Sequence, residues 1–157
     1  KNDSYVDKDG ITHYPGYYPR PTDQRFAFNI FFQDYLPGNP SFKVHLYGFY
    51  GSGLPFGVAK SDRYDINFRM PSYRRVDIGF TKVLLDDNIR ASFLSKGIRG
   101  IKSLWISAEV FNLFNFSNTV SYMWVQTVGN QEGKYDTYAV PNYLTSRRVN
   151  VKLLVKF

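Results

Sequence analysis

The chain has 157 residues, enough for one domain with a core of its own. It contains no cysteine, which excludes a disulfide framework and any thiolate metal site. Its 20 basic and 13 acidic residues leave a net charge of +7. That charge is spread along the chain rather than gathered into the stripe that phosphate tracking needs, so no nucleic-acid partner is expected.

Aromatic residues make up 18%, with 13 Tyr and 14 Phe, a load that suits strands, membrane interfaces or carbohydrate sites. No apolar run approaches the ~18 residues of a membrane helix. A membrane form would therefore have to be a β-barrel, the other structure that satisfies its backbone in lipid. A first residue other than Met, followed by the polar run Asn2-Asp3-Ser4, predicts a processed product or a piece of a longer protein.

Residues 1 to 23 hold Gly10, Pro15, Gly16, Pro19 and Pro21 and predict a long loop. Its His13, Tyr14, Tyr17 and Tyr18 form either a sticky surface or a loop packed on itself. Residues 25 to 35 alternate as a strand, with Phe26, Phe28, Ile30 and Phe32 on one face and Arg25, Asn29 and Gln33 on the other. After the breakers of Leu36 to Ser41, residues 42 to 52 return, with Phe42, Val44, Leu46 and Tyr50 on one face and Lys43 and His45 on the other. Pairing residue 32 with 44 would lay Phe28 over Gly48. Residues 53 to 72 predict a second long loop. Residues 73 to 85 predict a third strand, with Val76, Ile78 and Phe80 opposed to Asp77, Gly79 and Thr81. The polar stretch 86 to 102 leaves room for a short helix from Ile89 to Lys96. Residues 103 to 115 predict a fourth strand, with Leu104, Ile106, Ala108 and Val110 against Trp105, Ser107 and Glu109. The connection 116 to 146 is the longest and leaves room for a short strand from Val120 to Val128.

The last eleven residues carry the cleanest pattern. Val149, Val151, Leu153, Val155 and Phe157 share one face; Asn150, Lys152 and Lys156 share the other, with Leu154 as the apolar intruder. The expected fold is all-β, an antiparallel up-and-down meander. Its long connections at 1–23, 53–72 and 116–146 would lie at one end, and 36–41 and 86–102 at the other. Strands of about 11 residues fit a tilted crossing of a ~25 Å apolar band, and long-outside, short-inside connections are the habit of outer-membrane barrels. Five strands cannot close a lipid-facing barrel, whose smallest members have about 8. The alternatives are a soluble β-sandwich with a second sheet over the apolar face, or the end of a much larger barrel with Arg25, Asn29, His45, Asp77, Glu109 and Lys152 facing a wet lumen. Setting Leu104 opposite Phe157 would pair Glu109 with Lys152 across the strands.

Several stretches together resemble the C-terminal end of a TonB-dependent outer-membrane transporter of the SusC/RagA-like or carboxypeptidase-regulatory-domain type. They are Asp23-Gln24-Arg25-Phe26, Tyr50-Gly51-Ser52-Gly53-Leu54-Pro55-Phe56-Gly57, the run from Arg69 to Asp77, Ala108-Glu109-Val110-Phe111-Asn112-Leu113-Phe114-Asn115 and the terminal Phe157. The resemblance covers essentially the whole chain. It implies the last five or so strands of a barrel of about 22, which at about 31 residues per strand needs roughly 690 residues. The plug domain and earlier strands would then lie upstream, outside residues 1–157. It further implies bacterial outer-membrane localisation and nutrient import of a glycan, peptide, siderophore or similar cargo. The implied partners are the rest of the barrel and its plug, TonB acting through the plug, membrane lipid and a SusD-like surface lipoprotein as cap. Phe157 would serve as the barrel-assembly signal.

No cofactor and no enzyme activity are expected. Glu109 and Asp77 lack the desolvated cleft that acid–base work needs, and two histidines 32 positions apart make no metal pattern. The loop aromatics Tyr14, Tyr17, Tyr18, Tyr122, Trp124, Tyr135 and Tyr138, beside Asn130, Gln131 and Asp136, are the candidates for ligand or lid contact, the alternative being loops folded on their own hydrophobic residues. Phe26, Phe42, Tyr50 and Phe157 suit interfacial aromatic girdles. The runner-up is a soluble β-sandwich glycan-binding module, and a non-transport barrel such as an adhesin or secretion component comes third.

Overall fold

The structure, a computed structural model, describes residues 4–58, 68–90, 100–127 and 136–157. These residues are all-β. The strands are β1 (Tyr5–Val6), β2 (Thr12–His13), β3 (Ala27–Leu36), β4 (Asn39–Gly51), β5 (Pro55–Phe56), β6 (Phe68–Arg69), β7 (Tyr73–Asp86), β8 (Ile89–Arg90), β9 (Ser103–Phe111), β10 (Thr119–Gln126), β11 (Thr137–Tyr143) and β12 (Arg148–Lys156). No helix among the described residues is long and apolar enough to cross a membrane.

The five long strands form one sheet in the order β12-β9-β7-β4-β3, with β8 attached to β7. Strand order follows chain order, so the sheet is the expected meander. β3 and β4 are joined by Pro37-Gly38. Proline fixes the first turn position and Gly38, at φ 72°, supplies the left-handed second one, the type II pattern. The turns at 37–38 and 87–88 therefore lie at the same end of the sheet.

The chain forms two compact units. One contains residues 28–50, 74–117 and 145–157, the body of the sheet; the other contains residues 1–27, 51–73 and 118–144. The second unit is thus built from the three long connections, and it holds three small antiparallel hairpins, β1-β2, β5-β6 and β10-β11.

The alternating pattern gives the right faces but not every register. β12 pairs β9 with Val155 opposite Leu104, Leu153 opposite Ile106 and Val151 opposite Ala108. This is two residues away from the expected pairing. Both faces survive, because side chains alternate with a period of two. The expected Glu109–Lys152 pair does not form: Glu109 lies opposite Asn150, and Lys152 opposite Ser107. Phe28 likewise does not cover Gly48. It stacks on Tyr50 at 5.5 Å, and the space above Gly48 is open.

Three further expectations are revised. β9 stops at Phe111 rather than residue 115, because Asn112 turns the backbone to φ 52°. Ile89 and Arg90 form a strand against Leu85 and Asp86, not the start of a helix; the remainder of that predicted helix lies outside the described residues. The short strand expected from Val120 exists as β10, but it pairs with β11 rather than joining the main sheet.

Burial is sparse. Among the described residues the buried apolar side chains are Tyr18, Pro55 and Val83, and no side chain is completely buried. The side chains of the outer strands β3 and β12 are exposed along their whole length. Phe28, Ile30, Phe32, Phe80, Val149, Val151, Leu153 and Val155 are all exposed.

Candidate functional site

Two features could meet a solute: the polar face of the main sheet and the unit built from the long connections.

On the polar face, side chains link from strand to strand. Gly79 of β7 lies opposite Glu109 of β9, which lies opposite Asn150 of β12. The His45 imidazole crosses over Gly79: a Cβ there would sit 2.1 Å from His45 Cε1, so a side chain at 79 would collide with the ring. His45 Nε2 reaches to 3.8 Å from Glu109 Oε1, and Asn150 Nδ2 donates to Glu109 Oε2 at 3.3 Å. One row over, Thr81 Oγ1 and Ser107 Oγ share a hydrogen bond of 2.9 Å, with Lys152 opposite Ser107. The following row is apolar: Val83, Trp105 and Leu154 face one another in register, which gives Leu154 a partner on a face where it looked misplaced. The Trp105 indole N–H is buried and finds no acceptor.

Asp77 lies on the same face but is buried, and its role is structural. Its Oδ1 accepts from Arg75 Nε at 2.8 Å and from the Asn112 backbone N–H at 2.8 Å. The turn after β9 is held by Asn112 itself. Asn112 Nδ2 donates to the Phe116 carbonyl at 3.0 Å, and the Phe116 N–H donates to Asn112 Oδ1 at 2.9 Å. Asn115, at φ 56°, accepts the Arg147 N–H at 2.9 Å. Asparagine tolerates this left-handed conformation better than other residues with a side chain. The Arg74 and Arg75 guanidiniums lie over the rings of Phe116 and Phe111 at 4.8 and 5.3 Å.

In the connection unit, Arg69 joins three chain segments. Its Nη1 donates to the carbonyls of Asp23 and Gly53 at 2.9 and 3.2 Å, and its Nη2 donates to the Asp23 carboxylate. The planar fork of arginine suits this bridging. Gly53 allows the close approach, since a Cβ there would overlap the Met70 carbonyl oxygen. Gln24 and Phe26 are tied to Ser52, whose N–H donates to the Phe26 carbonyl at 2.9 Å. Phe56 stacks on Tyr122 at 4.6 Å.

The loop aromatics divide by environment. Tyr14 and Tyr17 are 79% and 88% exposed, and Tyr138 is half exposed. Tyr122 and Trp124 are half-buried in β10. Tyr18 is buried, and with Pro19, Arg20, Thr22 and Asp23 it lines an open cleft of about 420 Å³. Tyr135, Asn130 and Gln131 lie outside the described residues, while Asp136 is exposed. At the start of the unit, Asp7 Oδ2 meets His13 Nε2 at 2.6 Å, and its Oδ1 accepts the N–H groups of Asp9 and Ile11. The His13 contact, then the Ile11 N–H, hold the Asp7 carboxyl below the usual carboxylate range.

Of the residues expected to face a lumen, His45 and Glu109 come together, while Lys152 sits in the neighbouring row. Asn29 is exposed on β3, Arg25 is exposed in the stretch that precedes that strand, and Phe157, 77% exposed, follows β12. Among the described residues no group of three His, Cys, Asp or Glu could hold a metal ion. The sequence does not reveal the contacts of Gly79, Arg69 or the Asn112 turn, although a glycine inside an alternating strand does signal a close approach. No protein family, no curated protein and no solved structure matches the chain.

Proposed function

We propose that this chain is the C-terminal part of a large transmembrane β-barrel, the closing strands and outer loops of a TonB-dependent importer of the bacterial outer membrane. The observation that carries the reading is the inverted burial of the main sheet. Its polar face is linked by hydrogen bonds and holds the buried Asp77 and Val83, while on the opposite face none of the described apolar side chains is buried and the eight named above stand exposed.

Each such Val, Leu, Ile or Phe would contribute roughly 1.5–3 kcal/mol if fully buried. Leaving eight of them in water forfeits on the order of 10 kcal/mol, comparable to the whole stability of an ordinary domain. A soluble sandwich would cover these residues with a second sheet, and Phe28, Ile30, Phe32, Val151 and Leu153 have no such cover. Lipid removes the cost without one. The two outer strands support the same reading. Among the described residues β3 and β12 each end the sheet with an unpaired edge, which a barrel supplies with neighbours and an isolated sheet does not.

In this reading the connection unit is the outer surface that meets cargo or a capping lipoprotein, with Tyr14, Tyr17 and Tyr138 as its exposed aromatics. The polar rows line the lumen, and Phe157 ends the closing strand. Import depends on TonB acting through a plug encoded upstream. The test is fractionation and uptake. The polypeptide carrying this C-terminus should sediment with outer membranes, be several times longer than 157 residues, and support a nutrient uptake that disappears when TonB is deleted. An 18.3 kDa product folding as a detergent-free monomer would overturn it.

A further inference from the structure

Lys82 breaks the apolar face of the main sheet. It lies opposite Ile106, which lies opposite Leu153, and both of those are exposed apolar side chains. Phe80 precedes it on the same face and packs against Phe42 with ring centroids 6.1 Å apart. The Lys82 stem runs beside these rings, with Nζ 5.8 Å from the Phe42 centroid and donating to Ser41 Oγ at 2.6 Å. The ammonium is thus drawn toward the end of the sheet where Pro37-Gly38 turns the chain. Between Lys82 and that end stands a single apolar row, Leu85, Leu104 and Val155. A long cationic side chain on an oily surface behaves this way when its head seeks the boundary of the apolar band.

No ion pair engages it among the described residues. Asp34 Oδ1 accepts the N–H of Tyr35, and Asp86 Oδ1 accepts the N–H of Asp87. Lys82 makes no ion pair with either. The Ser41 hydroxyl gives its hydrogen to Asn39 Oδ1 at 2.6 Å and accepts from the ammonium, so it holds Lys82 Nζ at the rim of an apolar surface; the remaining ammonium hydrogens can donate to an anionic phosphodiester oxygen, with the acyl chains continuing over Phe42, Phe80 and Ile106.

We propose that Lys82, positioned by Ser41, binds the headgroup of an anionic phospholipid at the turn end of the barrel wall. This rests on the barrel reading above. A lysine held near a membrane surface favours an anionic lipid by about fivefold.

The experiment uses the protein purified from membranes and reconstituted in nanodiscs containing equal phosphatidylglycerol and phosphatidylcholine, with retained lipid measured by native mass spectrometry. Phosphatidylglycerol should be retained preferentially, and Lys82→Gln should cut that preference about fivefold. Lys82→Arg should keep it, as should Lys8→Gln in the turn between β1 and β2. Equal retention of the two lipids by the unmodified protein, or an unchanged preference in Lys82→Gln, overturns the site alone. A protein that takes up neither lipid overturns the barrel reading and the site together.

Discussion

Asn112 is the residue whose replacement reports most directly on how the polar face is anchored. Its backbone adopts φ 52°, its side chain is 4% exposed, and both ends of its amide are used on Phe116. Its N–H also reaches the buried Asp77 carboxylate. Alanine at this position loses both side-chain bonds and must hold a left-handed backbone. The lost bonds are worth about 1 kcal/mol each, and the conformation costs a further 1–2 kcal/mol. Glycine loses the same bonds but accepts the conformation freely. Asn112→Ala should therefore destabilise by about 3–4 kcal/mol and Asn112→Gly by about 2 kcal/mol. Guanidinium titration in detergent micelles, followed by the fluorescence of Trp105 and Trp124, separates them. Equal losses in the two variants, or a loss below about 0.5 kcal/mol in both, would refute the turn's assigned role.

Other substitutions probe the remaining contacts. Gly79→Val should displace the His45 ring and break its approach to Glu109, costing about 1–3 kcal/mol, whereas Gly48→Ala, with open space above it, should be neutral or stabilising by about 0.5 kcal/mol; the same titration compares them. Arg69→Ala should raise hydrogen exchange around residues 23–26 and 52–54, and Arg69→Lys should restore little of the protection, because an ammonium cannot reproduce the fork. The Asp7 carboxyl is held low in the folded hairpin, so its contribution is fully present above the unfolded value near 3.8 and is lost as pH falls through the lowered folded value. Exchange protection of the Ile11 amide should drop across that acid window and become flat with pH in Asp7→Asn.

The faces of the sheet were legible in the sequence because alternation encodes them residue by residue. Val149, Val151, Leu153 and Val155 needed no other information. Register was not legible, since a slide of two residues preserves every face; the difference between Asn150 and Lys152 as the partner of Glu109 lies in pairing geometry. The end of β9 was readable only in part. Asn112 and Asn115 are turn-tolerant residues, but Leu113 and Phe114 continue the apolar run and disguise the stop. The tie from Arg69 to Asp23 spans 46 positions and depends on three connections meeting, which no local pattern records. Leu154 looked like an error in the polar face until Trp105 and Val83 appeared beside it.

The central claim is that the apolar face meets lipid and the opposite face meets water. Residues 1–157 hold no cysteine, so neighbouring residues of β12 become direct reporters once any cysteine elsewhere in the polypeptide is replaced. Cysteines placed singly at Val151 and Lys152, labelled with a small fluorophore in the reconstituted protein, can be challenged with brominated phospholipid and with aqueous iodide. The account predicts that the label at 151 is quenched by the lipid and shielded from iodide, and that the label at 152 shows the reverse. Quenching of both by iodide, or of neither by lipid, would contradict it.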